Sequence, residues 1–326
     1  MTSIPANTTI EARIGRWARG QKRYDTAFRL GTTFFALLVL VLLGGVIVAL
    51  VEGAAPALAK FKLGFIVTEE WNPVTDEFGA LAPIYGTLVT SVIAMLIGVP
   101  ISFGIALFIT ELCPPWLKRP IGTAIELLAG IPSIIYGIWG LFVFAPLLQE
   151  TVQPFLIETL GALPGIGFLF GGPPLGIGVF TAGLILAIMV LPFITSVMRD
   201  VFETVPAMLK ESAYGLGATT WEVMWNVVLP YTRSGVMGGI MLGLGRALGE
   251  TMAVTFVIGN AHDIHASLLS PGTTISAALA NEFTEATTDI YLSSLIALGL
   301  ILFIITFSVL VLAKLMLLRL QRGQGS

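Results

Sequence analysis

The amino-acid sequence predicts an all-α integral membrane protein with six transmembrane helices and a helix-turn-helix loop between the fourth and fifth. Three observations carry this prediction. Hydrophobic residues make up 56% of the chain and charged residues 11%, with a mean hydropathy of +0.91, which is unlike a soluble globular domain. Long apolar stretches recur along the chain. One polar, helix-capable stretch, residues 211–230, lies between two of them.

The apolar stretches are long enough to cross a bilayer, since a helix needs about 20 apolar residues to span the hydrocarbon core. We place the spans at residues 30–51, 84–110, 121–148, 176–198, 235–259 and 290–318. They divide the chain into an N-terminal segment, 1–29, and a transmembrane domain, 30–320, with the long loop at 199–233. The first span exceeds a signal-peptide core in length and follows a long basic leader, so we expect it to be retained.

Charge predicts the orientation of the spans, because short loops rich in lysine and arginine stay in the cytoplasm. The basic residues that fall on one side are Arg13, Arg16, Arg19, Lys22, Arg23, Arg29, Lys118, Arg119, Arg199, Lys210, Arg233, Lys314, Arg319 and Arg322. The opposite loops are acidic, with Lys60 and Lys62 as nearby basic exceptions. Both termini and loop 199–233 are therefore predicted to be cytoplasmic.

Composition argues against several kinds of chemistry. A single cysteine, Cys113, rules out a disulfide within the chain, and two histidines, His262 and His265, are too few for a histidine-based metal centre. We expect no metal, no cofactor and no nucleic-acid partner. The spans contain no Ser/His, paired-Asp or His-Glu-x-x-His arrangement, so we expect no catalytic residues and a protein that is not an enzyme.

The polar loop has the local pattern of two short helices. The first is predicted to stop near Gly215 and Gly217. Thr219 followed by Glu222 is a capping-box pattern, so a second helix should begin there and end at Pro230.

The second loop helix should have an apolar face. Its members are Trp221, Met224, Trp225 and Val228, which recur at helical spacing. Either the ends of the protein's own spans or a partner protein would cover this face.

Two opposite charges lie within the fifth predicted span. Arg246 and Glu250 are four residues apart, which places them on one face of a continuous helix. An arginine near the bilayer centre costs about 2.5–3.5 kcal/mol on insertion scales, so it should face protein or water. Arginine's planar donors suit an oxyanion, which indicates anion translocation. A self-neutralising structural pair is the alternative.

Small residues in the same span predict close helix packing or a subunit interface. Two spacings of four carry this prediction: Gly239 with Gly243, and Gly245 with Gly249.

The loop resembles the EAA loop of importer-type ABC transporter permeases. That pattern is Glu-Ala-Ala, three residues, Gly, nine residues, Ile, one residue and Leu-Pro. The residues in register are Glu211-Ser212-Ala213, Gly217, Val227 and Leu229-Pro230, with Ser212 and Val227 as departures. The resemblance implies that the first loop helix is a coupling helix, and that Glu211, Ala213, Gly217, Leu229 and Pro230 form the contact region for an ATPase. The chain lacks a G-x-x-x-x-G-K-[ST] loop, so ATP and Mg²⁺ would be used by a separate subunit.

Two further segments resemble permeases of phosphate-specific ABC importers. They are Gly-Arg-Ala-Leu-Gly-Glu-Thr-Met-Ala at 245–253 and Ala-Gly-Ile-Pro-Ser-Ile-Ile-Tyr-Gly at 129–137. The resemblance implies import of inorganic phosphate across a bacterial inner membrane by alternating access, with Arg246 and Glu250 as transport residues. It also implies four kinds of association: a second homologous permease in a heterodimer, two ATPase subunits, an extracytoplasmic phosphate-binding protein and the lipid bilayer.

Two other functions stay open at this stage. A permease for molybdate, tungstate or sulfate would share the docking loop, although the Arg246–Glu250 pair and segment 129–137 favour phosphate. An ion-coupled secondary anion transporter would use Arg246 and Glu250 without ATP, and it would leave loop 199–233 without a function.

Overall fold

The computed structural model describes the backbone of residues 7–322 and the side chains of residues 24–315, 317 and 318. The basic side chains before Tyr24, together with Arg319 and Arg322, lie outside the described side chains. The chain divides into two units, Met1–Gly53 and Ala54–Ser326. The described part of the first, residues 7–53, is helical, and its side chains from Tyr24 to Gly53 are mostly exposed.

The elements follow one another as helices joined by short connections. In chain order they are α1 (Asn7–Phe61), α2 (Gly64–Val67), β1 (Trp71–Asn72), β2 (Glu77–Phe78), α3 (Leu81–Leu107), α4 (Pro115–Ala129), α5 (Ser133–Trp139), α6 (Ala145–Leu147), α7 (Gln153–Thr159), α8 (Val179–Glu203), α9 (Ala207–Gly215), α10 (Thr220–Val223), α11 (Leu229–Leu248), α12 (Met252–Thr255), α13 (Ile275–Glu282) and α14 (Asp289–Arg322). The strands pair antiparallel, Trp71 with Phe78 and Asn72 with Glu77.

Wider turns extend or join several helices. The π-helical segments are Phe108–Leu112, Gly140–Phe144, Leu148–Val152 and Met224–Val228, and a 3₁₀ turn covers Gly167–Phe170.

Six helical stretches of the described chain are long and apolar enough to cross a membrane, which confirms the predicted fold class and number of spans. They are Tyr24–Phe61, Leu81–Leu112, Ser133–Thr159, Val179–Glu203, Thr220–Leu248 and Asp289–Leu315.

The third span differs from the predicted range 121–148, because a break divides that range. Helix α4 ends at Ala129, and α5 begins only at Ser133. Pro132 between them has an extended backbone, with φ −58° and ψ 137°. Proline lacks an N–H and disfavours the helical conformation in the residue before it, so Pro132 ends one helix and starts the next.

The fifth span also differs from prediction, because the second loop helix runs into it without ending at Pro230. The π segment Met224–Val228 joins α10 to α11, and Pro230 lies in the first turn of α11. Proline is accommodated there because the π segment directly before it changes the local hydrogen-bond pattern, and such adjustments satisfy the backbone groups that a proline leaves free. The span ends at Leu248 rather than at the predicted residue 259.

Helix α8 forms the centre of the main hydrophobic core and is the most buried of the six spans. Three glycines of α11 let that helix approach it closely. A Cβ atom at each would lie 2.6–3.0 Å from a side chain of α8, in the pairs Gly235 with Val201, Gly239 with Val197 and Gly243 with Ile194. The predicted close packing is thus confirmed for Gly239 and Gly243. It does not extend to Gly245, where a Cβ would meet only Leu310 at 3.9 Å.

A second core joins the hairpin with parts of α1, α13 and α14, and a partly buried carboxylate is bonded to two of its residues. Glu282 Oε2 accepts hydrogen bonds from Trp71 Nε1 at 2.6 Å and from the Tyr291 hydroxyl at 2.7 Å. Its Oε1 lies 2.6 Å from His262 Nε2. The His262 ring stacks on Trp71, with centroids 5.0 Å apart. Glu282 therefore connects three parts of the protein, which are the β1–β2 hairpin, the loop that precedes α13, and helix α14.

The surroundings of Glu282 have opposing effects on its pKa. Burial raises the pKa of this carboxyl, while the hydrogen bonds from His262, Tyr291 and Trp71 and the charge of His262 lower it, and the net pKa lies below its ordinary value. A carboxyl with a depressed pKa in the folded state stabilises that state above its unfolded pKa. This contribution is lost as pH falls through the folded pKa.

We expect Glu282→Gln to destabilise the protein at neutral pH by about 1.5–3 kcal/mol, the range for hydrogen bonds to a charged group. The measurement is thermal unfolding of the purified complex in detergent at several pH values. The difference from wild type should narrow as pH falls below about 4.3, because the wild-type carboxyl becomes neutral too. Glu285→Gln, at an exposed position three residues away, is the control and should change little. A pH-independent difference would contradict this account.

Candidate functional site

The loop between the fourth and fifth spans forms a short helix, a glycine turn and a second helix. Helix α9 ends at Gly215, and Gly217 has φ +88°. No atom lies within 4 Å of the place where a Cβ would be added at Gly217. The position therefore requires glycine because of its left-handed backbone, not for lack of space.

The second helix starts with the predicted capping box. Thr219 Oγ1 accepts from the Glu222 backbone N at 3.3 Å, and Glu222 Oε2 accepts from the Thr219 N at 2.8 Å. Two of the free N–H groups at the helix start are thereby satisfied. The capping box is confirmed as local structure.

The five motif residues of the loop divide between core and surface. Ala213 and Leu229 pack against the main hydrophobic core. Glu211, Gly217 and Pro230 are exposed. The first pair holds the loop on the transmembrane domain, and the exposed residues are available to another protein.

The apolar face of the second helix is divided in the same way. Met224 is 1% exposed and Val228 0%, whereas Trp221 is 63% exposed and Trp225 43%. The protein's own core therefore covers half of this face, and the two indole rings remain at the surface, 5.2 Å apart.

Sequence reasoning missed the most exposed apolar residues of the loop. Met208 on α9 is 75% exposed, and Leu216 in the glycine turn is 90% exposed. With Trp221 they form what we call the loop surface. Large apolar side chains exposed together in one short loop are candidates for an interaction site. Leu216 offered a signal in the sequence, since it is an apolar residue between two glycines of a turn.

The structure does not place Arg246 and Glu250 on one helical face, and that prediction is wrong. Helix α11 ends at Leu248, with Gly249 as its C-terminal cap, and Glu250 lies in the break before α12. Glycine in the last turn favours such an end. No ion pair within 4.0 Å joins the two residues in the described chain.

Each of the two charged residues instead lies at a helix end whose partial charge is opposite to its own. Glu250 Oε1 accepts a hydrogen bond at 3.3 Å from the N–H of Ala253, in the first turn of α12. Arg246 lies in the last turn of α11, where the free carbonyl groups carry partial negative charge. The side chain of Arg246 is exposed.

The two segments at 129–137 and 245–253 come together through α5 and α12. A Cβ atom at Gly137 would lie 2.7 Å from the Phe256 ring and 2.9 Å from the Met252 carbonyl oxygen. Only glycine permits this approach. The structure thus brings the two segments into contact, and Arg246 belongs to the second of them.

The loop surface and Arg246 lie at opposite ends of α11. Leu229 starts that helix and Arg246 is in its last turn, which separates them by about 25 Å at 1.5 Å per residue. A protein docked on the loop would not touch Arg246.

Comparisons with known proteins agree with this architecture. The sequence matches the family described as "Binding-protein-dependent transport system inner membrane component" over residues 98–322. The "Phosphate transport system permease protein PstC" of Mesorhizobium japonicum is 64% identical over 93% of this chain and 92% of its own. The protein of the same name from Pasteurella multocida is 61% identical over 92% of this chain and 94% of its own.

A solved structure shares the fold. It is the "Crystal structure of bacterial alginate ABC transporter in complex with alginate pentasaccharide-bound periplasmic protein", with a TM-score of 0.56, 19% sequence identity and coverage of 87% of this chain and 94% of that one. At this identity the likeness concerns the fold alone.

The family match covers more than half of the chain, and the identities to the relatives extend over nearly all of it. Six apolar helices agree with a multi-pass protein of the inner membrane. The chain belongs to the family of binding-protein-dependent transport system inner membrane components, and within it to the PstC-type ABC permeases.

Proposed function

We propose that this chain is a permease subunit of an ATP-driven importer that moves inorganic phosphate across the bacterial inner membrane by alternating access. The observation that carries the proposal is the contact between segments 129–137 and 245–253, the second of which holds an exposed arginine in a membrane span. Relatives named phosphate transport system permeases share more than 60% of their residues with this chain. The name of these relatives is the basis on which we propose phosphate as the substrate.

Arg246 is the residue we assign to the anion. Its planar guanidinium offers several N–H donors in a geometry that matches a phosphate oxyanion. The Glu250 carboxylate is engaged with the first turn of α12, so it leaves the donors of Arg246 to the substrate. Glu250 has a positioning role in this account, since it fixes the start of the helix that packs on α5.

The energy source lies in a separate subunit. ATP and Mg²⁺ would be used there, and this chain would need no cofactor and carry no catalytic residue. We assign the loop surface, with Glu211, Gly217 and Pro230, as the contact region for that ATPase. Exposure of Leu216 and Trp221 supports the assignment, because large apolar side chains at a loop tip gain by being covered.

The complete importer would hold further chains. We propose a heterodimer with a second homologous permease, two ATPase subunits and an extracytoplasmic phosphate-binding protein. The distribution of basic residues supports cytoplasmic termini and a cytoplasmic loop.

Uptake of radiolabelled phosphate tests the proposal directly. Proteoliposomes with the complete importer should accumulate phosphate only with ATP inside and the binding protein outside. Excess unlabelled molybdate or sulfate should not reduce uptake. Competition by either anion would indicate another oxyanion as substrate, and uptake without ATP would indicate a secondary transporter.

We expect Arg246→Gln to lower phosphate uptake at least about tenfold, because charge-assisted hydrogen bonds to the anion are lost. Glu250→Gln is the matched comparison. It removes the charge but keeps an oxygen that can accept from the Ala253 N–H, so uptake should stay near wild type. Both variants should still assemble with the ATPase. Normal uptake by Arg246→Gln would show that the arginine is structural.

We expect Gly217→Val to reduce the phosphate transported per ATP hydrolysed. A side chain in the left-handed conformation costs about 1–2 kcal/mol, and the turn that carries Leu216 would change shape. Gly215→Val is the control, since Gly215 also has open space around it but lies in the helix α9. Measuring uptake and ATP hydrolysis together gives the ratio. If the two variants transport equal amounts of phosphate per ATP hydrolysed, the assignment of the loop as the ATPase contact is wrong.

A further inference from the structure

A largely buried ion pair joins the loop to a span with which it has no direct connection along the chain. Lys210 Nζ of α9 lies 2.5 Å from Glu111 Oε1, in the π segment Phe108–Leu112 that follows α3. The two residues are 99 positions apart. Along the chain the loop connects directly to α8 and α11 only. Contacts across space are therefore the route by which α3 can follow the loop.

Burial distinguishes this ion pair from the others on the same side. The side chains of Lys210 and Glu111 are 18% and 8% exposed. In the pair Lys118–Glu203 the values are 38% and 47%, with a 3.0 Å separation. Exposed pairs contribute little, whereas removing one member of a buried pair leaves an uncompensated charge in the interior. The Lys210–Glu111 pair thus holds its two elements in a fixed relation.

A second contact connects the same two parts of the protein. The Phe103 ring of α3 lies 6.0 Å from the Trp225 ring in the second loop helix, and it packs edge-on against Phe202 of α8 at 5.7 Å. The loop therefore contacts α3 at two places, an aromatic pair and an ion pair.

The π segment explains how both contacts reach one side of α3. Phe103 and Glu111 are eight residues apart, while two α-helical turns take about 7.2 residues. The segment Phe108–Leu112 has wider turns, with hydrogen bonds that span five residues. It takes up the extra residue and brings Glu111 back toward the side on which Phe103 lies.

We infer that the Lys210–Glu111 ion pair transmits displacement of the loop to α3, so that both residues are positioning residues for transport. The inference rests on the proposed function, in which the ATPase moves the loop. When α9 moves, Lys210 pulls Glu111 and the end of the second span with it. Helix α3 then moves together with α8 and α11, and the substrate pathway changes shape. Apolar contacts alone have no preferred direction, whereas this pair ties one atom of the loop to one atom of the span.

The test compares four importers in proteoliposomes, with ATP hydrolysis and radiolabelled phosphate uptake measured on the same sample. The variants are Lys210→Met, Glu111→Gln, the neutral double variant Lys210→Met/Glu111→Gln, and the reversed double variant Lys210→Glu/Glu111→Lys. Lys118→Met is the matched control at an exposed pair. Co-purification of the ATPase verifies assembly in each case.

Each single variant should lower the phosphate transported per ATP on the order of tenfold, within the usual range of coupling between sites. The neutral double variant contains no unpaired buried charge and should fold, yet its ratio should remain low. The reversed pair should restore most of the ratio, and Lys118→Met should stay near wild type. A normal ratio in the neutral double variant would overturn the inference, because it would show that the pair serves folding only.

Failure of the proposed function would look different. If the substrate is not phosphate, the wild-type importer will take up no labelled phosphate. If the loop does not dock the ATPase, Gly217→Val will match Gly215→Val in its coupling ratio. Either result is obtained without any change at Lys210 or Glu111.

Discussion

The fold depends on one constraint, which is that backbone N–H and C=O groups inside a bilayer must find their hydrogen-bond partners within the protein. The chain satisfies it with long helices and breaks them at two places within the predicted spans. After α4, the N–H groups of Gly130 and Ile131 bond back to Leu127 and Leu128 at 3.1 and 3.2 Å, and the Tyr136 hydroxyl donates to the Leu128 carbonyl oxygen at 3.0 Å. These backbone groups at the break thus find hydrogen-bond partners within the protein.

The second break follows the same rule and faces the first. Glu250 bonds to the first turn of α12 through its carboxylate, and its N–H lies 3.4 Å from the Ala247 carbonyl oxygen. Helix α12 packs on α5 at Gly137, so the helices that follow the two breaks are in contact, while Gly130, Pro132 and Gly249 in the breaks themselves are exposed. Each break also creates helix ends with partial charges inside the span. Arg246 lies at one of them, which gives a fixed cation a place in the membrane without a carboxylate beside it.

The features that could be predicted from the sequence are those set within a few residues. The capping box of Thr219 and Glu222 and the turn at Gly217 follow from local backbone chemistry, and both are present. The number of spans follows from hydropathy. The shared face of Arg246 and Glu250 was wrong because periodicity assumes that a helix continues, whereas α11 ends between them. The starts of the third and fifth spans were misjudged because the effect of a proline depends on its position in a helix.

Contacts between distant segments could not be predicted, and the link from loop to span belongs to them. Neither Lys210 nor Glu111 stands out in the sequence, where each is one charge near a predicted helix end. Only the fold buries them together. Burial also explains why an ion pair suits this position. The loop rests on the core through Ala213 and Leu229, and such apolar surfaces can slide with little change in buried area. A desolvated ion pair cannot, since moving one charge away leaves the other without a partner in the interior. The pair therefore makes the loop and α3 move as one body, while the apolar contacts provide the adhesion that holds the loop in place.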